Sequence, residues 1–260
     1  MNEPRYEVYA LKYAHHARRA AENFIGGDPH NAPMPLDYYV WLIRGEGRDI
    51  LVDTGFSRAM AARRGREHLR CPADSLRLLG ADAARIADVV ITHMHYDHVG
   101  NFERFPAATF HLQEREMRYA TGRYMGQACF RGAFDAEDVA GMVRHVFQGR
   151  VRFHDGDGEL LPGVSVHLLG GHTMGLQVVR VATRRGPLVL ASDASHFYAN
   201  LEQERPFPIV WSVAEMVDGY RRLRALAASP AHIVPGHDPL VLERFPPASP
   251  ALAGIAARLD

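Results

Sequence analysis

Cysteine is scarce in this chain of 260 residues, since only Cys71 and Cys129 occur. Two thiols so far apart supply neither a disulfide framework nor the paired cysteines of a zinc finger. We therefore expect both to be reduced and buried or half-buried. The polar segment 1–19 also lacks the apolar core of a secretory leader, which predicts a cytoplasmic location.

An excess charge of one sign is also missing, because 30 basic residues balance 30 acidic residues. Arginine pairs are scattered and never form a stripe, so we expect no nucleic acid and no acidic membrane as a partner. No apolar run reaches the length of a membrane span. The chain also lacks low-complexity linkers and internal repeats, which predicts a single domain over residues 1–260.

What is present is a mixture of short strands and amphipathic helices, which predicts an α/β fold. We predict strands at 6–13, 38–43, 49–52, 88–91, 109–112, 151–154, 159–161, 164–168, 177–182, 187–191 and 232–234. We predict helical segments at 57–69 and 74–88, broken by Cys71-Pro72 and by Gly80, and helices at 113–120 (with Glu114, Arg115 and Glu116 facing outward), 135–147 and 213–227. Segment 119–134 has no clear period and is predicted to be a loop or lid, and a short tail follows Leu240.

One stretch, residues 92–98, combines three histidines and an aspartate directly after the apolar strand at 88–91. Its candidate ligands are His93, His95, Asp97 and His98. Imidazole nitrogen and carboxylate oxygen together suit zinc, or iron or manganese. Loops at the ends of buried strands are where α/β proteins usually carry their chemistry. The pattern therefore predicts a metal site.

Three further candidate ligands follow strands in the same way: His172, Asp193 and His237. Glycines next to His172 and His237 would let the backbone approach a metal closely. One tetrahedral zinc needs at most four protein ligands, so seven candidates suit two ions, and a carboxylate can bridge them. Asp53, which ends the strand at 49–52, is either a turn residue or a hydrogen-bond partner of a metal-bound histidine.

The motif Thr-His-x-His-x-Asp-His-x-Gly at 92–100, with the later ligands, resembles the metallo-β-lactamase superfamily. Within it, the chain is similar to the N-acyl-homoserine lactonases, which are dinuclear zinc hydrolases. The resemblance implies an αββα sandwich of two mixed sheets flanked by helices. It also implies that His93, His95 and His172 hold one metal, that Asp97, His98 and His237 hold the other, and that Asp193 bridges.

The resemblance implies a hydrolase that opens a small lactone through a metal-bridging hydroxide, with Asp97 passing a proton to the leaving group. Two alternatives stay open: a thioesterase or other ester hydrolase similar to glyoxalase II, and a non-catalytic binding member. The expected cofactors are two Zn²⁺ ions per chain, and iron or manganese remains possible. A homodimer is also possible. His95 favours hydrolysis over oxidase relatives, which place an acidic residue there, and Asp193 argues against true β-lactamases.

The chain departs from the lactonase pattern three residues after Asp193. Lactonases of this group commonly place a tyrosine there, which hydrogen-bonds the substrate carbonyl, whereas this chain has His196. Four interpretations remain: His196 takes that role, Tyr198 takes it, the substrate is a different ester or lactone, or His196 is a solvent-facing residue at the rim of the pocket.

Overall fold

The computed structural model describes residues 4–260. In chain order the strands are β1 (Glu7–His16), β2 (Leu36–Gly45), β3 (Arg48–Val52), β4 (Glu67–His68), β5 (Asp88–Val90), β6 (Thr109–Gln113), β7 (Val151–His154), β8 (Gly158–Leu161), β9 (Val164–Leu168), β10 (Gln177–Thr183), β11 (Gly186–Ser192), β12 (Ile233–Pro235) and β13 (Ala256–Arg258). The α-helices are α1 (Arg58–Arg64), α2 (Pro72–Ser75), α3 (Glu114–Ala120), α4 (Ala128–Arg131), α5 (Ala136–Phe147), α6 (Tyr198–Glu202), α7 (Val213–Leu226) and α8 (Leu240–Arg244).

The strands form two mixed sheets. The first sheet has the order β13-β1-β2-β3-β5-β6-β7, with β4 also paired to β1, and the second has the order β12-β11-β10-β9-β8. Strands β3, β5, β6 and β7 are parallel, as are β11 and β12, while the remaining pairs are antiparallel. Because parallel strands end at the same edge of a sheet, the segments after β3 and β5 meet there.

Strand β2 shows how its sequence packs between two layers. Side chains alternate across a strand, so Trp41 and Ile43 face one side while Val40 and Leu42 face the other. Trp41 and Ile43 join a core between the sheets, where they meet residues of β10 and β11 such as Val181. Val40 and Leu42 join a second core, which includes residues of α1, α2 and α5.

The second sheet carries a helix on its outer face. Helix α7 begins at Ser212, whose side chain accepts a hydrogen bond from the Glu215 backbone, and it packs Met216, Tyr220 and Leu223 against the sheet. The layers are therefore helix, sheet, sheet and helix, which confirms the predicted α/β sandwich. Within residues 4–260, no helix is both long and apolar enough to cross a membrane.

Two predicted helices were wrong. The segment 57–69 is helical only in α1, because Gly65 adopts a left-handed conformation (φ 63°) and ends the helix. The segment 74–88 contains α2 and two 3₁₀ turns, Leu76–Leu79 and Ala83–Arg85, separated by Gly80 at φ 72°. The break at Gly80 was predicted, whereas the end of α1 at Gly65 was not.

Other departures concern the predicted lid, the tail and the cysteines. Segment 119–134 folds into a 3₁₀ turn at Arg123–Gly126 and the short helix α4. The tail after Leu240 forms α8 and then β13, which pairs with β1 and extends the first sheet. Cys129 is exposed, contrary to expectation, whereas Cys71 is partly buried and both are free thiols.

Candidate metal centre

Three imidazole nitrogens converge where β5 and β9 end. Nε2 of His172 lies 3.1 Å from Nε2 of His93 and 2.8 Å from Nδ1 of His95. All three rings are almost completely buried. Nitrogen ligands about 2.0–2.1 Å from a tetrahedral zinc lie about 3.3 Å from one another, so the spacing fits a shared cation.

A second group lies beside the first. Oδ2 of Asp97 lies 3.6 Å from Nε2 of His98 and 3.7 Å from Nε2 of His237. These three residues also form a group with metal-ligand spacing, and each of them is buried. Two adjacent groups of imidazole and carboxylate ligands match the arrangement of dinuclear metal centres.

Asp193 lies between the two groups. Its Oδ2 is 3.3 Å from Nε2 of His172, while its Oδ1 is 3.0 Å from Nε2 of His237 and 3.5 Å from Nε2 of His98. One carboxylate oxygen therefore faces each group. Asp193 has its place because β11 and β12 run in parallel and carry Asp193 and His237 to the same edge.

Unpartnered atoms test whether these residues fit a metal. Nε2 of His98 and Oδ1 of Asp193 are buried and have no hydrogen-bond partner among the described residues. Such atoms are costly to bury unless something else binds them. Both atoms belong to side chains with metal-ligand spacing, so the donor set fits a divalent metal ion.

Hydrogen bonds on the far side of the rings orient them. The Nδ1–H of His98 donates to Oδ2 of Asp53 over 2.7 Å, and the Nδ1–H of His172 donates to the backbone oxygen of Ile209 over 2.7 Å. His237 makes the same kind of contact with the backbone oxygen of Asp37 at 2.9 Å. Each bond leaves Nε2 free as a ligand atom.

Asp53 combines both interpretations that the sequence left open. Besides contacting His98, it accepts hydrogen bonds from the backbone and the hydroxyl of Thr92, each at 2.8 Å. It adopts a left-handed backbone conformation with φ 63°. Asp53 is therefore a turn residue and also the anchor of a candidate ligand.

Steric constraints explain why glycine precedes two of the candidate ligands, His172 and His237. Gly170 and Gly171 have φ values of 72° and 83°, which other residues rarely adopt. A Cβ atom on Gly236 would lie 2.6 Å from Oδ1 of Asp193 and 2.7 Å from the backbone oxygen of Ser192. Backbone conformation therefore favours glycine before His172, and close contacts with Ser192 and Asp193 require it before His237.

Burial and neighbouring charge divide the histidines into two sets. Burial lowers the pKa of His93 and of His95 far below its usual value, and adjacent imidazoles add to this effect. Burial also opposes charge on His98 and His237, but Asp193 outweighs it and raises the pKa of both. A proton competes with a metal for the same lone pair, so acid should act mainly on the second set.

His196 and Tyr198 occupy different surroundings. Nε2 of His196 lies 2.9 Å from Oδ2 of Asp193, and its ring stacks on Phe207 with centroids 3.4 Å apart. Tyr198 joins the core between the sheets, its buried hydroxyl has no partner among the described residues, and the guanidinium of Arg244 lies 3.8 Å from its ring centroid. The structure thus brings His196, and not Tyr198, against the candidate ligands.

The prediction that Glu116 faces outward was wrong, because its side chain is fully buried. Its carboxylate accepts hydrogen bonds from the backbone of Met94 (2.8 Å), the hydroxyl of Thr173 (2.6 Å) and the backbone of Gly175 (3.0 Å). It therefore joins the loop of His93 to the loop of His172. No signal in the sequence of α3 distinguishes Glu116 from Glu114 and Arg115, which are only partly buried.

The family model described as the metallo-beta-lactamase superfamily matches residues 34–237. This range contains the seven candidate ligands and every strand of the two sheets except β1 and β13. The chain belongs to the metallo-β-lactamase superfamily.

Several named relatives are similar to the chain. N-acyl homoserine lactonase AttM of Rhizobium johnstonii is 32% identical over 179 residues, which cover 66% of this chain and 65% of that protein. N-acyl homoserine lactonase AiiA of Bacillus thuringiensis subsp. kurstaki is 25% identical over 192 residues, which cover 67% of this chain and 70% of the relative. The chain thus spans 65% of the AttM relative's length.

Solved structures show the same fold. An N-acyl homoserine lactone hydrolase with the product N-hexanoyl-L-homoserine at its catalytic metal centre superposes with a TM-score of 0.76, at 20% identity, over 94% of this chain and 96% of that one. AidC, a dizinc quorum-quenching lactonase, gives a TM-score of 0.71 at 16% identity over 91% and 90% of the two chains.

Proposed function

We propose that this protein is a metal-dependent lactonase that opens N-acyl homoserine lactones or a related lactone, with two zinc ions per chain. The observation that carries the proposal is Asp193, whose two carboxylate oxygens face different ligand groups. That arrangement suits a bridged metal pair. The named lactonase relatives support the choice of substrate, and quorum quenching would be the biological consequence.

In this proposal His93, His95 and His172 hold one ion, Asp97, His98 and His237 hold the other, and Asp193 bridges. When bound, such ions supply a hydroxide near neutral pH and polarise the lactone carbonyl. Asp97 keeps a carboxylate oxygen at the partly accessible side of the centre. It would accept the proton from the oxygen that attacks the carbonyl and pass it to the alkoxide oxygen released when the ring C–O bond breaks.

Two residues remain candidates for the hydrogen bond to the substrate carbonyl. His196 has the better position, because it contacts Asp193 beside the first ligand group. Tyr198 would have to leave the core between the sheets in order to reach the substrate. We therefore propose His196 for this role and keep Tyr198 as the alternative.

An apolar groove offers a place for an acyl chain. It has a volume of about 570 Å³ and lies between α3, α4 and α5, with Met125, Phe134, Val139 and Val143 among its lining residues. The ring of Phe134 also packs edge-on against the candidate ligand His95, with centroids 4.6 Å apart. One side chain therefore connects the groove to the candidate metal centre.

The decisive experiment is an activity panel on protein loaded with two equivalents of zinc, iron or manganese. It should include lactones of several acyl lengths, a glutathione thioester and a phosphodiester, with metal content measured on the same samples. We expect ring opening of the lactones. Cleavage of the thioester alone would favour the glyoxalase II-like alternative, and fewer than one bound ion per chain would favour a non-catalytic binding protein. The cytoplasmic location and the homodimer remain predictions.

A further inference from the structure

Two arginines beside the metal-ligand loop form no ion pair among residues 4–260. Arg64 is the last residue of α1, Arg66 follows after Gly65, and both side chains are partly buried. Nearby Arg18 and Arg63 face Glu22 and Asp135, respectively. In the described part of the chain, neither Arg64 nor Arg66 has a carboxylate oxygen within 4.0 Å.

Both guanidinium groups contact Tyr96. Cζ of Arg64 lies 4.0 Å from the Tyr96 ring centroid, and Nε of Arg66 donates to the Tyr96 hydroxyl over 3.0 Å. Arg66 uses Nη1 for contacts with His16 (3.1 Å) and the backbone oxygen of Arg64 (2.7 Å). Its Nη2 group has no hydrogen-bond partner between residues 4 and 260.

This cluster adjoins the metal centre on the side of the second ligand group. Tyr96 lies between the candidate ligands His95 and Asp97 in the chain. Its hydroxyl lies 3.3 Å from the hydroxyl of Tyr38, and the Tyr38 ring packs edge-on against His237 with centroids 5.1 Å apart. Tyr96 and Tyr38 therefore connect Arg66 to the second ligand group through side-chain contacts.

Two uncompensated cations in a partly desolvated setting favour an anion over a neutral group. The planar guanidinium fork matches the two oxygens of a carboxylate, and a hydrogen bond between charged groups is stronger than a neutral one. A simple alkyl chain would leave both charges without a counter-ion.

We propose that Arg66, with Arg64 and Tyr96, forms a subsite that binds a carboxylate on the part of the substrate outside the lactone ring. This inference rests on the proposed lactonase function and narrows its substrate class to lactones with an anionic substituent. Arg66 supplies the direct contact, while Arg64 holds the Tyr96 ring and adds positive charge.

The test compares three lactones on the zinc-loaded protein. N-glutaryl homoserine lactone and N-pentanoyl homoserine lactone have acyl chains of the same length, but only the first ends in a carboxylate. γ-Butyrolactone has no substituent and reports on the metal centre alone. We expect a KM about 10- to 100-fold lower for the glutaryl compound than for the pentanoyl compound, as one charged hydrogen-bonded contact would give. Added salt should reduce this preference.

Variants assign the preference to Arg66. In Arg66→Met the advantage of the glutaryl compound should disappear, while kinetics with γ-butyrolactone should stay the same. Arg58→Met is the matched control, because it removes one positive charge from an exposed position at the start of the neighbouring helix α1. It should retain the preference. Arg66→Lys keeps the charge without the fork and should retain part of it, which also covers the case in which Arg66→Met fails to fold.

The outcomes separate this inference from the proposed function. If γ-butyrolactone is opened but the two acylated lactones have equal KM values in the wild type, the carboxylate subsite is overturned and the lactonase proposal stands. If no lactone is opened, the lactonase proposal fails, and calorimetric binding of the glutaryl compound decides about the subsite. If the wild type and Arg66→Lys then bind the glutaryl compound with equal affinity, the carboxylate subsite is overturned. Weaker binding of this compound to Arg66→Lys would support the subsite.

Discussion

The Nδ1–H of His98 and Oδ2 of Asp53 are 2.7 Å apart, and both side chains are buried. Asp53 follows β3, whereas His98 belongs to the loop after β5, so parallel pairing of these strands creates the contact. The bond fixes which nitrogen of His98 faces the metal gap.

Asp53→Asn should therefore weaken metal binding at the second ligand group. Asparagine tolerates the left-handed backbone of this position, but it removes the carboxylate that orients His98. We expect a loss of about 10- to 100-fold in affinity for one of the two ions, as measured by competition with a chromophoric chelator. Asp49→Asn, on the same strand and paired with Arg44, is the control, and equal affinities in both variants would contradict this role of Asp53.

Acidification should release the two ions unequally. Burial opposes protonation of His98 and His237, but Asp193 raises the pKa of both, while burial lowers the pKa of His93 and His95. Protons should therefore displace the ion of the second group first as the pH falls. Metal content after dialysis at pH 8, 6 and 5 should pass through one ion per chain, and simultaneous loss of both would contradict the prediction.

Glu116→Gln should destabilise the fold by about 2 kcal/mol, because the amide replaces an acceptor of three buried hydrogen bonds with a group that also donates. Urea denaturation of the metal-free protein measures this without a contribution from bound ions. Glu114→Gln is the control on the same helix, since that partly exposed carboxylate pairs with Arg118 at the surface. A similar change in both variants would show that Glu116 does not connect the loops.

Asp138 should make the stability depend on pH. Burial, aided by Asp135, raises its pKa to about 7, and its Oδ2 has no partner among the described residues. Because the folded pKa lies above the unfolded value, this contribution to stability is complete below about pH 4 and is lost as the pH rises to about 7.

Asp138→Asn should consequently be about 1 kcal/mol more stable than the wild type at pH 8 and nearly equal to it at pH 4. The gain at pH 8 is smaller than the pKa shift alone would give, because Asp138 is partly solvated and the helix N-terminus favours its charge. Urea denaturation at the two pH values gives the difference. Glu137→Gln, at an exposed position beside it, should show no such change with pH. A constant difference for Asp138→Asn would contradict the raised pKa.

The sequence predicts best what is local and contiguous. The 92–98 stretch places four candidate ligands directly after a strand, so the sequence alone indicates where the candidate metal centre lies. Most strands could be predicted from their own apolar residues. The glycine turns before His172 and His237 likewise place a candidate ligand after a strand. The two-sheet architecture required the family resemblance, because alternation along a strand does not reveal which strands pair.

What could not be predicted depends on contacts distant in sequence. Glu116 resembles a surface residue until the backbones of Met94 and Gly175 are placed around it. β13 has little strand character and forms because β1 presents an unpaired edge. Likewise, Arg64 and Arg66 resemble ordinary surface charges until the fold places Tyr96 beside them.

Gly236 limits how this centre could be redesigned. Even one methyl group there would collide with the oxygen of Asp193 that faces His237, so the separation of the two ligand groups would change with it. Directed evolution that aims at new substrates should therefore leave this turn untouched and vary the end of α1. There, side-chain identity can change what is bound without altering the spacing of the ligands.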